Sequence, residues 1–163
     1  MSIPKVLASC MKIEQSIGQI YQYLADLFAK EAAFHQLFSR LAADEQDHAL
    51  QIKLAGNLQR ETVVTGLHLD ETKVEELLSQ VREMVASLRG TPPTAAEALQ
   101  MALRLEEEFC QTHLLAAADI RDEKLASMFR ALARADKDHL GQLQKFCVAY
   151  EKARGVKILP TTP

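Results

Sequence analysis

Apolar residues recur at intervals of three and four along almost the whole chain, a spacing typical of α-helices that bury one face. The first stripe runs from Ile3 to Phe28. The pattern predicts an all-α protein. The expected helices cover about 4–30, about 33–58, a shorter stretch between an N-cap at Asp70 and a stop at Gly90, 94 to about 120, and about 123–153.

Two parts of the chain repeat each other. FSRLAADEQDH at 38–48 matches FRALARADKDH at 129–139 with an offset of 91 residues. Upstream, MKIEQSIGQ at 11–19 matches LRLEEEFCQ at 103–111 with an offset of 92. A single duplicated helical hairpin, with one residue gained or lost in a turn, explains both matches.

The repeat predicts how one domain, 1–163, is organised. Short turns inside each copy make its two helices antiparallel neighbours. The expected parts are hairpin 1 over about 4–58, a crossover with its own helix over about 59–93, hairpin 2 over about 94–153, and an irregular tail over 154–163. Thr94-x-x-Glu97 has the form of a capping box that opens hairpin 2.

Acidic residues and histidines interrupt the apolar stripes of all four hairpin helices. They are Glu14, Glu45, His48, Glu106, Asp136 and His139. Each hairpin contributes one acid from its first helix and an acid-x-x-His pair from its second. Counted from turns near Glu31 and Asp122, the six lie 14 to 17 residues away. At 1.5 Å per residue, they lie within about 5 Å of one height in the bundle.

These buried acidic residues need a positive charge or hydrogen-bond donors beside them, because burying an unpaired carboxylate in apolar surroundings costs several kcal/mol. Two cations would convert the repulsion between four carboxylates into coordination. Imidazole together with carboxylate suits iron, manganese or zinc better than calcium. The alternative is a bundle that has lost its metal, in which these side chains form a hydrogen-bonded network.

Composition and charge limit the kinds of partner and the cellular compartment that are expected for this protein. The net charge of −3 argues against nucleic acid or an anionic membrane as the main partner. No apolar run is long enough to span a membrane, and the N-terminal stretch meets charge too early for a secretory signal. Three scattered cysteines exclude a cysteine-built metal site and favour a reducing cytoplasm.

The duplicated Glu and acid-x-x-His pattern resembles the rubrerythrin-like branch of the ferritin-like di-iron carboxylate superfamily. The resemblance covers both hairpins and implies a ferritin-like four-helix bundle with two iron ions, manganese or zinc being possible. It implies metal ligation by Glu14, Glu45, His48, Glu106, Asp136 and His139. Glu45 and Asp136 would bridge, and each histidine would cap one metal. Asp136 departs from the family's Glu, so it could reach one metal only, bind through water, or hold that metal weakly.

The resemblance also implies a function, a peroxidase-like di-iron oxidoreductase that reacts with hydrogen peroxide or dioxygen. These 163 residues contain none of the paired C-x-x-C motifs of the rubredoxin-like domain in full rubrerythrins, so electrons are expected to come from a separate donor protein. Two alternatives remain: ferroxidase activity with iron storage or delivery, and a non-catalytic bundle with a degenerate site. A homodimer is expected.

The sequence places two further polar residues, Tyr21 and His113, near the six. Tyr21 and His113 occupy equivalent positions in the two copies, seven residues after each helix Glu. We expect them to support the ligands by hydrogen bonds, or to be ordinary core residues, with His113 as a possible extra ligand. Asp44 and Asp47 are expected to face solvent.

Overall fold

The computed structural model describes residues 3–58, 71–88 and 90–158, and these ranges form five α-helices. The helices are α1 (Ile3–Leu27), α2 (Ala32–Leu58), α3 (Glu71–Leu88), α4 (Ala95–Asp119) and α5 (Glu123–Arg154). The predicted all-α class is confirmed. The main difference is that α1 ends at Leu27, where a turn over 28–30 replaces the last predicted helical residues.

The helices pair as two hairpins, α1 with α2 and α4 with α5. The predicted capping box opens α4: Thr94 accepts a hydrogen bond from the Glu97 amide, and Glu97 accepts one from the Thr94 amide. Asp122 caps α5 by accepting from the Leu125 amide at 2.8 Å. These caps satisfy amides that a helix start leaves without partners, so they fix where the second hairpin begins and turns.

The crossover helix α3 packs against α1. Val74, Leu78 and Val81 are buried in that contact, and the Ser9 hydroxyl donates to Glu75 Oε1 at 2.8 Å. The helix ends close to the predicted stop at Gly90, whose amide donates to the Ser87 carbonyl. Its predicted N-cap, Asp70, lies outside the described residues.

Aromatic rings join the two hairpins beside the α1–α2 turn. Phe34 of α2 packs edge-on against Phe146 and Tyr150 of α5, with ring centroids 4.9 and 5.3 Å apart. Phe28 and Phe38 continue the cluster on the first hairpin. Since edge-to-face pairs are favourable beyond their buried area, this cluster fixes how α2 lies beside α5.

The chain after α5 turns back onto the bundle. Gly155 adopts a left-handed conformation (φ 67°), which ends the helix. Ile158 is buried, and its amide donates to Glu151 Oε1 at 2.6 Å. Residues 155–158 are irregular, while Arg154, the first residue of the predicted tail, still belongs to α5; residues 159–163 lie outside the described range. No helix among the described residues is long and apolar enough to cross a membrane.

Candidate metal centre

All six predicted residues meet in the middle of the bundle. α1 supplies Glu14, α2 supplies Glu45 and His48, α4 supplies Glu106, and α5 supplies Asp136 and His139. None is more than 4 % exposed. The helical repeat places each of them on the buried face of its helix, so the fold carries four carboxylates and two imidazoles inside an otherwise apolar core.

The possible ligand atoms form two groups. Within each group, all ligand atoms lie within 4.8 Å of one another. One group holds Glu45, Glu106, Asp136 and His139, and the other holds Glu14, Glu45 and His48. Glu45 belongs to both, so its carboxylate lies between two positions that can hold a cation. The sequence predicted a bridging role for Asp136 too, but Asp136 falls in only one group.

Each histidine lies beside a carboxylate at its Nδ1 atom. His48 Nδ1 is 3.1 Å from Glu45 Oε2, and His139 Nδ1 is 3.2 Å from Glu106 Oε2 and 3.6 Å from Glu45 Oε1. His48 Nδ1 also lies 3.9 Å from Asp136 Oδ1. The two rings face each other with centroids 5.8 Å apart. Both imidazoles therefore point Nδ1 at the centre.

Tyr21 and His113 both contact predicted ligands. The Tyr21 hydroxyl donates to Glu106 Oε1 at 2.5 Å. His113 lies between Glu14 and Asp136, with Nε2 3.0 Å from Glu14 Oε1 and Nδ1 2.7 Å from Asp136 Oδ2. Each residue thus reaches across the bundle to a carboxylate of the other hairpin. Tyr21 and His113 therefore form hydrogen bonds to predicted ligands and are not merely ordinary core residues.

Asp44 was expected to face solvent, and it does so in part while it also contacts the centre. Its side chain is 38 % exposed, and its Oδ2 lies 3.1 Å from His139 Nε2, on the outer side of that ring. Asp44 therefore fixes the orientation of His139. Its place directly before Glu45 was the available signal, but the partner is 95 residues away and only the fold reveals it. Asp47 is exposed, as expected.

The carboxylates differ in their electrostatics. Burial alone would raise the pKa of Glu14, but the charge of His113, its hydrogen bond and the nearby His48 ring outweigh this effect, so the pKa falls far below its usual range. The pKa of Glu45 is instead raised well above its usual range. Burial raises its pKa, its bond with His48 offsets part of this, and the nearby Glu14 and Glu106 charges raise it further. Glu45 therefore tends to hold a proton when no cation neutralises its neighbours.

The carboxylates around the three buried histidines raise the pKa of each imidazole. Burial disfavours the charged ring of His48, yet its contacts with Glu14 and Glu45 raise its pKa to about 11. For His113, burial is likewise outweighed, chiefly by the Glu14 charge and the bond to Asp136, and its pKa rises to about 10. The pKa of His139 is also raised, through Glu106 and Asp44. Without metal, the centre is thus held together by imidazolium–carboxylate pairs.

Two openings adjoin the centre. A solvent-facing pocket of about 280 Å³ lies over the outer edges of His48 and His139 and is bordered by Asp44, Asp47 and Asp138. On the opposite side, beneath α3, a small cavity of about 20 Å³ touches Glu14 and His113. That space is large enough for a single water. The acidic side of the centre is therefore the open one.

The residues fit a cation on structural grounds. Glu14 Oε2 is buried and has no hydrogen-bond partner among the described residues. A buried oxygen without a partner costs free energy, and a cation beside it would remove that cost. The donor set, buried carboxylates with imidazole nitrogens, is the one that first-row transition metals bind. The described centre is thus a possible metal site.

The cysteines stand apart from this donor set. None of the three forms a disulfide, and Cys10 and Cys147 are buried. Burial raises the pKa of the Cys10 thiol to about 12. Such a thiol keeps its proton at neutral pH.

Comparison of the chain with protein-family models, curated proteins and solved structures finds no match. The resemblance to the rubrerythrin-like branch therefore stays a prediction that rests on the residues themselves.

Proposed function

We propose that the protein holds two iron ions at this centre and is a rubrerythrin-like oxidoreductase that reduces hydrogen peroxide or dioxygen. The observation that supports this best is the position of Glu45, which belongs to both ligand groups. A carboxylate shared by two cation positions favours a dinuclear centre over a single ion. Zinc does not change oxidation state, so it cannot supply electrons to an O–O bond. Iron is chosen over manganese on the resemblance to the rubrerythrin-like branch.

The roles of the chain's residues follow from their places. Glu106, Asp136 and His139 would hold one ion, Glu14 and His48 the other, and Glu45 would lie between them. Bound there, a pair of ferrous ions supplies two electrons to an O–O bond. Tyr21 keeps Glu106 in place by its hydrogen bond, and Asp44 keeps His139 in place. The apolar helix faces limit bulk water, so the carboxylates meet the ions in a low dielectric.

Peroxide consumption by the iron-loaded, reduced protein tests this function. We expect the full chain to oxidise two ferrous ions per peroxide consumed and to repeat the cycle when re-reduced. Glu45→Gln, which keeps the size of the side chain but weakens its ligation, should abolish the activity. Glu107→Gln is the matched control, since Glu107 is exposed beside a ligand and belongs to neither group. Iron-loaded protein that leaves peroxide untouched contradicts the proposal.

The acidic pocket over the histidines favours a second candidate, iron oxidation coupled to storage or delivery. Asp47 and Asp138 lie at equivalent places in the two copies, each directly before a histidine, and both border the pocket. Negative charge there would draw cations toward the centre. Iron taken up and released in more than two equivalents per chain, without peroxide turnover, would favour this function over the first.

Two partners belong to the same proposal. An external electron donor protein is needed for repeated turnover, and a second copy of the chain is expected as a homodimer. Sedimentation of the purified protein tests the second. Reduction of the oxidised protein by candidate donors, followed in a spectrophotometer, tests the first.

A further inference from the structure

Tyr21 and His113 are equivalent residues of the two halves of the centre, and they differ in side chain. Both lie seven residues after the Glu of their helix. Both reach the corresponding Glu of the other half: Tyr21 lies 2.5 Å from Glu106, and His113 lies 3.0 Å from Glu14. In this respect the centre is symmetric.

His113 breaks the symmetry with its second nitrogen. Nδ1 lies 2.7 Å from Asp136 Oδ2, so one ring separates Glu14 from Asp136. Carboxylate oxygens that bind one small cation lie about 2.0–2.2 Å from it, hence at most about 4.4 Å from each other. With the ring between them, Glu14 Oε1 and Asp136 Oδ2 cannot lie that close. The other oxygen, Asp136 Oδ1, lies 3.9 Å from His48 Nδ1, but the Asp136 carboxylate does not join the group of Glu14, Glu45 and His48.

The ligand groups show the consequence. Asp136 joins Glu45, Glu106 and His139, which makes four protein ligands, while Glu14, Glu45 and His48 make only three. Asp136 is the equivalent of Glu45 in the second copy, and its side chain is shorter by one methylene. A shorter carboxylate that is also bonded to His113 does not serve both positions as Glu45 does.

The two histidines also differ in the residue that supports the ring on its outer, Nε2 side. His139 Nε2 is held by Asp44, whereas the residue equivalent to Asp44 in the second copy is Ala135, which has no side-chain acceptor. A carboxylate behind a ligating histidine orients the ring and increases its basicity. Both asymmetries therefore strengthen the position next to His139.

We propose that the centre binds two divalent transition-metal ions with unequal affinity, and that His113 sets the difference by holding Asp136 away from the Glu14 position. The position of Glu45, Glu106, Asp136 and His139 fills first, and that of Glu14, Glu45 and His48 second. This inference rests on the proposed metal binding but not on the proposed peroxide chemistry.

Titration of the metal-free full chain with Co²⁺, followed by calorimetry and visible absorption, measures both steps. We expect one equivalent to bind 10-fold or more tightly than the second, which is the order of effect that supporting contacts exert on metal affinity. Two equal steps would overturn the inequality while leaving the proposed function intact. Absence of any binding would instead overturn the proposed function.

Two substitutions test the role of His113. His113→Tyr gives both halves the same residue and frees Asp136, and His113→Phe removes both contacts while filling similar space. Each should tighten the second step by several-fold and so narrow its difference from the first. Tyr21→Phe, at the equivalent position, is the matched control and should not tighten the second step. If the second step is unchanged in both folded His113 variants, His113 does not set the difference.

Discussion

The hydroxyl of Tyr21 and the carboxylate of Glu106 are joined by a 2.5 Å hydrogen bond between residues 85 positions apart in the chain. Neither side chain is more than 2 % exposed. The bond connects α1 of the first hairpin to α4 of the second, at the height of the metal centre. It therefore couples the packing of the hairpins to the position of a ligand.

Tyr21→Phe should destabilise the metal-free protein. The change keeps the ring in the core but leaves Glu106 Oε1 without its donor, and an unsatisfied buried acceptor costs about 1–3 kcal/mol. Urea unfolding followed by circular dichroism measures the loss. Tyr23→Phe is the control, since that ring is only partly buried on the same helix. Equal stability of the Tyr21 variant and the parent would mean that the bond is not formed in solution.

Asp44→Asn should weaken metal binding without unfolding the protein. Asn can still accept a hydrogen bond from His139 Nε2, but it loses the charge that increases the basicity of the ring. We expect the tighter step of the Co²⁺ titration to weaken about 10-fold or more, within the range for such partners. Asp47 borders the same pocket and has an exposed side chain, so Asp47→Asn changes the charge of the pocket and should have little effect on the tighter step. A similar loss in both variants would point to the charge of the pocket instead.

The metal-free protein should lose thermal stability as pH rises. The pKa of His113 is about 10 in the folded chain against an ordinary 6.5, because the Glu14 charge and the bonds to Asp136 and Glu14 outweigh the effect of burial. A raised pKa stabilises the fold fully below pH 6.5, and this contribution disappears as pH climbs through 10. His113→Phe should reduce the slope of Tm against pH across that window. A flat Tm in the parent protein would contradict the pairing.

Phe34→Ala should loosen the contact between the hairpins. Phe34 is 3 % exposed and packs against rings of α5, so its removal leaves a cavity that costs about 3–5 kcal/mol. Chemical unfolding provides the value, and Leu50→Ala, at a site 51 % exposed, is the control that should change little. A loss below about 1 kcal/mol would show that the aromatic cluster does not hold α2 against α5.

The fold was readable from the sequence because its signals are local and periodic. Apolar spacing located the helices, and Thr94 with Glu97 marked the start of α4 at the right residue. The end of α1 was placed too late because apolar periodicity continues through Phe28, which still packs against the core after the helix has ended. Helix ends depend on such contacts as much as on propensity.

The six residues of the centre could be predicted because both hairpins carry the same pattern, a Glu on the first helix and an acid-x-x-His pair on the second, at matching positions. The contacts across the hairpins could not be predicted, since Asp44 meets His139 and His113 meets both Glu14 and Asp136 only through the packing of α1, α2, α4 and α5. An aspartate one residue before a ligand looks like a solvated charge in the sequence. Which carboxylate lies between two positions is likewise a matter of distances, and it distinguishes Glu45 from Asp136.

Native mass spectrometry of the protein, isolated without oxygen from cells grown with ample iron, tests the central claim most directly. The account predicts two iron ions per chain in the parent protein and fewer than two in Glu45→Gln, with the Glu107→Gln control unchanged. Metal-free parent protein that also fails to bind iron on reconstitution would contradict the account, and the centre would then be a hydrogen-bonded network of buried acids and histidines.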